Sequence, residues 1–417
     1  MEEADVRSSI LLSVRTGGAK TLFSFFLLPL ISLVATLIAI PVLTREGGAN
    51  GWAAVAIAQG VGYTAGLVVS FGWLTVGPAQ VARNDAIGQR HTYWISSLMR
   101  LVVFGVTAPV AALIAIALVD ARFVVVALLV NIAITAQGLS PGWYLVGQGR
   151  PLAIAAMETA PRAAAQLVSV AAVAASHSLL WYGVILLLSE AMISAFAFLS
   201  LARRDETKGA SGAQLVHHFR EQWPLAVAAI VASGYTRAAV PIVSGIAYSS
   251  VPVFAALDRV ALIGRTGLRP LNSFFQGWVV RGGDINILRR ARTATIATVA
   301  LGISGGAVVA AALPQVDSLL FSGVIEVSSL QALLVGVSLI FASASGSTSL
   351  YYLAPRGAVR ALSVSTIVGT IVGVPLIIAL THFLGATGAV LAVTIAEGVV
   401  LAIQTSFVLR GSPGSRA

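Results

Sequence analysis

Nine ionisable side chains stand inside long apolar stretches of this chain, and their types and spacing define the chemistry open to it. They are Arg162, Arg237, Arg259, Arg265 and Arg269 on the basic side, and Glu158, Glu190, Asp258 and Glu397 on the acidic side. A charged group in hydrocarbon costs about 2.5 to 3.5 kcal/mol even on insertion scales. Each of these groups therefore needs a counter-charge, a watery cavity or a bound substrate.

Four of the nine charges belong to one predicted helix, 251–275. At about 100° per residue, Asp258, Arg265 and Arg269 fall within roughly 40° of one another around the helix axis. Arg259 follows Asp258 directly and so lies about 100° further round the helix. Arg237 lies near the middle of the preceding predicted helix. Guanidinium groups bind two phosphate oxygens at once and stay charged at any relevant pH, so this cationic stripe predicts an anionic substrate group. The alternative is that each arginine pairs with an acidic residue or reaches the membrane interface, Arg269 above all.

The acidic residues allow two interpretations. Glu158 and Arg162 are spaced i, i+4, which favours an intrahelical ion pair over a substrate role for either residue. Glu190 and Glu397 fit two roles, which are proton or cation coupling and structural pairing with polar neighbours. The chain has no cysteine, which excludes thiol chemistry and Cys-ligated metals, and it has no phosphate-cradling loop for a nucleotide. We expect no cofactor and no metal.

The elements that must position these charges are membrane-spanning helices. The 417 residues are 57% hydrophobic and only 10% charged, with a mean hydropathy of +0.91, which a water-soluble surface does not tolerate. Apolar runs of about 20 residues predict about twelve transmembrane helices, with the first retained as a span rather than cleaved as a signal. The runs are 21–43, 51–73, 101–119, 122–146, 152–175, 179–202, 224–246, 251–275, 293–313, 328–353, 361–383 and 386–409. The predicted fold class is an all-α polytopic membrane protein.

The basic residues orient these spans. Of the 26 lysines and arginines, five lie inside predicted spans, Arg45 and Arg122 lie on one side, and the remaining nineteen lie on the side of the N-terminus. The positive-inside rule therefore predicts that both termini are cytoplasmic. It also keeps 251–275 as a crossing helix, despite its charges. Because the net charge of +10 is concentrated at cytoplasmic loop ends, we expect no nucleic-acid partner.

A weak internal repeat divides the chain into two halves. Three matches in consistent order carry it: 41–44 with 241–244, 143–145 with 351–353, and Glu190 with Glu397. Six spans in each half require parallel repeats related by an axis along the membrane normal, with the natural substrate site between them. The predicted organisation is a cytoplasmic segment 1–20, a six-helix bundle 21–203, a cytoplasmic linker 204–223, a second, pseudo-symmetric six-helix bundle 224–410 and a cytoplasmic tail 411–417.

Two stretches carry a family resemblance. The sequences PVLTR at 41–45 with GWAAVA at 51–56, and SPGWYLVGQG at 140–149, occur within the 6+6 layout. The chain resembles the bacterial polysaccharide transporters that flip undecaprenyl-diphosphate-linked oligosaccharides, within the multidrug, oligosaccharidyl-lipid and polysaccharide exporter superfamily. The resemblance covers nearly the whole length and is greater to O-antigen and exopolysaccharide flippases than to drug exporters. It implies a cationic lumen, which matches the placement of Arg237, Arg259 and Arg265, and transport by alternating access.

The alternative is a cation-coupled multidrug or small-solute antiporter of the same superfamily, which would be expected to use a carboxylate-led cation site. An enzyme would need an extracytoplasmic catalytic loop or a cytoplasmic domain, and the longest predicted outer loop, 314–327, has about fourteen residues, close to ordinary connection length. We therefore expect a non-enzyme. The resemblance implies the lipid-linked glycan and membrane lipid as partners, with a polysaccharide polymerase and a chain-length regulator in the same pathway, and we expect a monomer.

Overall fold

The structure is a computed structural model that describes residues 2–201, 212–280 and 283–410. All of its regular elements are helices, so the prediction of an all-α polytopic membrane protein is confirmed. The α-helices are α1 Glu2–Ser70, α2 Trp73–Arg83, α3 Ala86–Leu118, α4 Val124–Ala136, α5 Gly142–Gly147, α6 Pro151–Ile154, α7 Ala160–Ser176, α8 Leu180–Leu201, α9 Gly212–Arg237, α10 Ala239–Ile246, α11 Val251–Val280, α12 Gly283–Leu320, α13 Ser329–Thr348 and α14 Val359–Leu409.

Seven helical stretches of the described residues are long and apolar enough to cross a membrane. They are Leu33–Arg83, Ala86–Leu118, Ala121–Gly147, Leu180–Leu201, Asn286–Leu320, Ser329–Leu353 and Arg360–Leu409. The last holds two predicted spans, and the first holds 51–73 with the end of 21–43. The predicted spans outside these stretches are 152–175, 224–246 and 251–275, and they carry seven of the nine intramembrane charges.

Two glycines divide the longest helices into antiparallel arms. Gly48 in α1 and Gly385 in α14 have φ angles of 62° and 58°, a region of backbone conformation that glycine adopts without strain. Within α14, a Cβ on Gly369 would lie 2.4 Å from Val400 Cγ2, and one on Gly373 would lie 2.9 Å from the Cβ of Ala396. The partner's number falls as the glycine's number rises, so the two arms of α14 on either side of Gly385 run antiparallel. One residue therefore connects predicted spans eleven and twelve, and Gly48 connects spans one and two.

Prolines shape the helices near the intramembrane charges. The fourth predicted span is broken between α4 and α5 by a 3₁₀ turn, Gln137–Leu139, followed by Pro141. The fifth contains a π-helical turn, Ala155–Thr159, which ends two residues before Pro161. Proline lacks an N–H and crowds the preceding turn, so the wider turn accommodates it. Glu158 lies in this π-helical turn.

Three predicted boundaries differ from the structure. Helix α1 begins at Glu2, inside the predicted segment 1–20, and helix α9 begins at Gly212, inside the predicted linker 204–223. Helix α12 continues through Pro314 to Leu320, so half of the predicted outer loop 314–327 is helical. A proline inside a helix is tolerated in a membrane protein when neighbouring groups satisfy the freed carbonyl. The tail 411–417 lies outside the described residues.

A close contact between α12 and α13 depends on a pair of glycines. A Cβ on Gly306 of α12 would lie 2.5 Å from the carbonyl oxygen of Gly336 in α13, and a Cβ on Gly336 would lie 2.4 Å from the oxygen of Gly306. Small residues allow transmembrane backbones to approach each other closely, which gains van der Waals contact. The neighbouring Gly305 has nothing within 4 Å of its Cβ position.

This pair provides a matched test of packing. Gly306→Ala should lower the stability of the purified protein by about 1 to 3 kcal/mol, because the added methyl must push two backbones apart. Gly305→Ala makes the same chemical change in open space and should leave stability unchanged or slightly raised. The measurement is the midpoint of thermal unfolding in detergent for both variants. Equal midpoints for the two would contradict the helix contact.

Candidate functional site

Four of the five predicted substrate-binding arginines line one cavity, which we call the central cavity. Its volume is about 200 Å³, and it lies where the first half of the chain meets the second. The second arm of α1 contributes one wall, and α9 to α11 contribute the others. The lining residues are Ala56, Gln59, Gly60, Tyr63, Thr236, Arg237, Val240, Ala255, Asp258, Arg259, Leu262, Arg265 and Arg269.

Arg265 is the arginine of this cavity with a carboxylate partner. Its Nη1 lies 3.1 Å from Oε1 of Glu397, and its Nη2 donates to the Ser338 hydroxyl at 3.2 Å. The Tyr235 hydroxyl donates to the same Glu397 oxygen at 3.4 Å. Glu397 is 5% exposed, so the pair is largely shielded from solvent. Arg265 therefore has a structural contact in addition to its position on the cavity wall.

The other three arginines have no carboxylate within salt-bridge distance among the described residues. The Arg237 guanidinium lies over the Tyr63 ring, 5.1 Å from its centroid. Arg259 donates to the side-chain oxygen of Gln59 and lies 6.0 Å from the centroid of the Trp52 ring. Arg269 is exposed at the edge of the cavity. These contacts hold the guanidinium groups in place without neutralising them.

The central cavity is consequently cationic. Four arginines face Asp258, which has no basic group within salt-bridge distance in the described part of the chain, and Glu397 neutralises Arg265. The resulting formal charge is +2. In a site with little water, an uncompensated charge of this size attracts an anion strongly.

Arg162, the fifth predicted arginine, lines a different cavity. This N-terminal cavity has a volume of about 100 Å³. Its other polar lining residues are Thr36, Gln59, Tyr63, Gln137, Gln166, Tyr182, Ser189, Glu190 and Arg259. The cavity lies within the first half of the chain except for Arg259, which reaches it from α11.

An ion-paired cluster with a formal charge of −1 lies at the N-terminal cavity and consists of Arg162, Glu158 and Glu190. Arg162 Nε and Nη2 lie 2.8 and 3.0 Å from the two oxygens of Glu190, a bidentate contact. Arg162 Nη1 lies 3.3 Å from Glu158 Oε2, so the ion pair expected from the i, i+4 spacing is present. Gln137 donates to Glu190 at 3.1 Å, and Ser140 donates to Glu158 at 2.5 Å. The cluster has no free guanidinium to offer a ligand.

Neutral polar residues join the two cavities, and the sequence analysis did not single them out. Gln59 Nε2 donates to the Tyr182 hydroxyl at 3.0 Å, and Gln166 Nε2 donates to the same oxygen at 3.3 Å. Together with the Arg259 contact, these bonds lead from the central cavity into the N-terminal cavity. Gln59 lies in the middle of the apolar run 51–73, and a glutamine in such a position is the sequence signal that would have indicated this polar connection.

Three hydrogen bonds join the two halves at helix ends that the sequence places outside. Trp52 Nε1 donates to the Pro252 carbonyl at 3.2 Å, Ser244 Oγ to the Leu118 carbonyl at 3.0 Å, and Ser322 Oγ to the Pro41 carbonyl at 2.8 Å. We call this set the outer closure. The halves are therefore held together on that side of the central cavity.

Comparison with solved structures identifies the class of fold. The chain is similar to a multidrug resistance MATE family transporter of the MOP superfamily in an inward-facing conformation (TM-score 0.62, 16% identity, 92% of this chain and 93% of that chain). It is also similar to the lipid II flippase MurJ in an inward closed conformation (0.66, 12%, 92% and 87%). An outward-facing MATE structure gives 0.50 at 13% identity over 94% and 97%.

The chain therefore has the fold of the MATE and MurJ transporters. These identities are too low to carry a substrate from those proteins to this one. No protein-family profile matches the chain. No curated protein matches it either.

Replacing an arginine that pairs with a carboxylate should lower the stability of the protein more than replacing one that does not. Arg162→Met leaves Glu158 and Glu190 buried without their partner and should cost about 3 kcal/mol or more. Arg237→Met removes a guanidinium that neutralises no carboxylate, so the change should stay within about 0.5 to 1 kcal/mol. Thermal midpoints and yields in detergent, measured side by side, check both variants. A loss for Arg237→Met as large as that for Arg162→Met would contradict this distinction.

Proposed function

We propose that this protein flips an undecaprenyl-diphosphate-linked oligosaccharide from the inner to the outer leaflet of a bacterial cytoplasmic membrane. The observation that carries the proposal is the central cavity, where Arg237, Arg259 and Arg269 face the space between the halves without carboxylate partners. The fold shared with a lipid II flippase supports it. The diphosphate is the part of such a substrate that these arginines would bind.

Guanidinium chemistry suits this role. A diphosphate presents several oxygens in a small volume, and the planar fork of each arginine binds two of them in parallel. Arg237 and Arg259 are already fixed by Tyr63 and Gln59, so little side-chain freedom is lost on binding. Asp258 limits the excess charge in the cavity, which would help the substrate to leave.

The size of the cavity bears on the mechanism. A volume of about 200 Å³ accommodates a diphosphate group and not an oligosaccharide, so the halves must separate for the glycan to enter. The outer closure holds them together on the predicted outer side. In our proposal the protein is closed to the outside in this state, and alternating access opens first the cytoplasmic and then the outer side.

An apolar groove offers a place for the lipid tail. It lies between α7 and α8, has a volume of about 630 Å³, and is lined mainly by aliphatic, methionine and phenylalanine side chains. Met192 and Phe196 on its wall are 67% and 60% exposed, so the groove opens toward the membrane. Ala165 and Ser189 line both this groove and the N-terminal cavity. We propose that the polyprenyl chain lies in the groove while the head group crosses inside the protein.

A cation-coupled multidrug or small-solute antiporter is the second candidate. The buried carboxylates of Glu158 and Glu190 favour it, as does the likeness to MATE transporters. These carboxylates are occupied by Arg162, whereas the arginines of the central cavity have no such partners. An organic cation would be repelled by the central cavity, so we favour the flippase.

The remaining expectations extend this proposal. We propose a transporter rather than an enzyme, acting as a monomer with both termini in the cytoplasm. Its product would pass to a polysaccharide polymerase and a chain-length regulator on the outer side. Its energy would come from an ion gradient, from the membrane potential or from consumption of the product.

Arg237 provides the direct test of substrate binding. In a deletion strain, Arg237→Ala should fail to restore surface polysaccharide, and lipid-linked precursor should accumulate on the inner leaflet, because the cavity loses an unpaired cation. Arg237→Lys should restore export only in part, since an ammonium cannot bind two oxygens in parallel.

The matched control is Arg356→Ala, which removes an exposed arginine that contacts the Tyr352 carbonyl and ring. It should export normally at equal protein abundance. Normal export by Arg237→Ala would refute the phosphate role. Unchanged polysaccharide in the deletion strain itself, together with drug sensitivity, would favour the antiporter.

Filling the apolar groove tests whether the substrate carries a lipid tail. Ala164 lines the groove and is exposed, so Ala164→Trp should place a large ring there without disturbing the bundle. Precursor flipping in proteoliposomes should fall about tenfold or more, because the polyprenyl chain loses its place. A tryptophan at Ala300, which is exposed on α12 away from the groove, serves as the control. Equal flipping by both variants would remove the groove from the mechanism.

A further inference from the structure

A second cationic site lies apart from both cavities described above, at Arg100 of α3. Arg100 is 1% exposed, and among the described residues no carboxylate lies within salt-bridge distance of it. Its Nη1 donates to the carbonyl oxygens of Gly138 and Ser140 at 3.2 and 2.8 Å, and its Nε donates to that of Ser96 at 3.3 Å. Glu158 is near enough to interact electrostatically with this guanidinium but does not form an ion pair with it. A buried guanidinium without a paired carboxylate is costly, so an anion in contact with it would stabilise it.

Two donors of Arg100 remain available. A guanidinium has five N–H groups, and the bonds above use Nε and Nη1. Nη2 has no acceptor in the described part of the chain, and it is not among the atoms enclosed by protein. It therefore reaches the space beside it. The hydroxyl of Ser97, which also lines that space beside Tyr93, makes no hydrogen bond of good geometry in the described part of the chain.

The space beside Arg100 is a cavity of about 230 Å³ between α3 and α8, in front of the break in the fourth predicted span. Polar residues Tyr93, Ser97, Arg100 and Ser194 line it together with apolar ones, among them Leu101 and Phe198. It has no residue in common with the central cavity or with the N-terminal cavity. The cavity thus combines a buried cation and hydroxyl groups with an apolar rim.

The position of Arg100 along α3 places this cavity at a membrane surface. The side chains of Leu101, Val102 and Val106 are 54%, 69% and 67% exposed, so the lipid-facing surface of α3 begins directly after Arg100. From Arg100 to the end of the helix at Leu118 the rise is about 27 Å, close to the thickness of the hydrocarbon core. Arg100 therefore lies at the level of lipid phosphates, on the side that the charge distribution predicts to be cytoplasmic.

We propose that this cavity binds the phosphate group of an anionic phospholipid from the inner leaflet. Nη2 of Arg100 and the hydroxyl of Ser97 are its donors, and the acyl chains lie along the exposed apolar surface of α3. Basic pockets between helices on the cytoplasmic side are suited to such head groups. Nη1 of the same guanidinium donates to the Ser140 carbonyl, and the Ser140 hydroxyl donates to Glu158. A lipid that fixes Arg100 would therefore also stabilise the cluster that contains Arg162 and Glu158.

Native mass spectrometry of the purified full-length protein tests this site with phosphatidylglycerol as the probe and phosphatidylcholine, which has no net charge, as the comparison. Ser194→Phe fills the cavity and leaves the guanidinium in place, so the test does not depend on removing a buried charge. Arg100→Met is the second variant. Ser304→Phe makes the same change on the exposed face of α12 and is the matched control.

We expect wild type and Ser304→Phe to bind phosphatidylglycerol in preference to phosphatidylcholine and to gain thermal stability from it. Ser194→Phe should bind phosphatidylglycerol about tenfold more weakly and lose that gain. Equal binding by Ser194→Phe and wild type, or equal binding of the two lipids by wild type, would overturn the proposal. Undecaprenyl diphosphate is the third probe. If it binds at this cavity and phosphatidylglycerol does not, the site belongs to the transported lipid and the proposal is wrong.

Discussion

A charge inside a membrane must find its counter-charge or its water within the protein, because the hydrocarbon around it offers neither. This constraint sorts the arginines of the chain into two groups. Arg162 and Arg265 lie against carboxylates and connect helices. Arg237, Arg259 and Arg269 have no such partners among the described residues and line the space between the halves instead. In a membrane the second group needs water or an anion in the cavity, and that requirement ties the architecture to the proposed substrate.

The two halves satisfy the constraint differently at equivalent places. Glu190 and Glu397 match in the internal repeat, and each accepts an arginine. The partner of Glu190 comes from the fifth predicted span, whereas the partner of Glu397 comes from the eighth. Glu158 adds a second carboxylate to the first pair, so the cluster in the first half has a formal charge of −1, while the central cavity has a formal charge of +2. The two predicted repeats therefore differ in the sign of the charge that they leave uncompensated.

What the sequence could predict follows from how local each property is. A span is a run of about 20 apolar residues and the Glu158–Arg162 pair is one helical turn, so both were accessible from the residues alone. The bidentate contact of Arg162 with Glu190 joins residues on different helices, and it depends on how those helices are aligned. The burial of Arg100 was missed for the same reason, because its acceptors are backbone carbonyls exposed by a break in another span. Hydropathy predicts which segments form membrane-spanning helices, but it does not predict how each helix is rotated about its axis relative to its neighbours.

The contact between Arg259 and Gln59 suggests how substrate binding and opening of the halves are linked. Arg259 belongs to the second half and Gln59 to the first, so their hydrogen bond crosses the central cavity and holds the halves together. A phosphate oxygen is a stronger acceptor for a guanidinium than a neutral amide oxygen, so a bound diphosphate would take Arg259 away from Gln59. Gln59 would keep its bond to the Tyr182 hydroxyl within its own half. The substrate would then replace a bond between halves with bonds to itself, which is the differential interaction that a ligand needs in order to shift a conformational equilibrium.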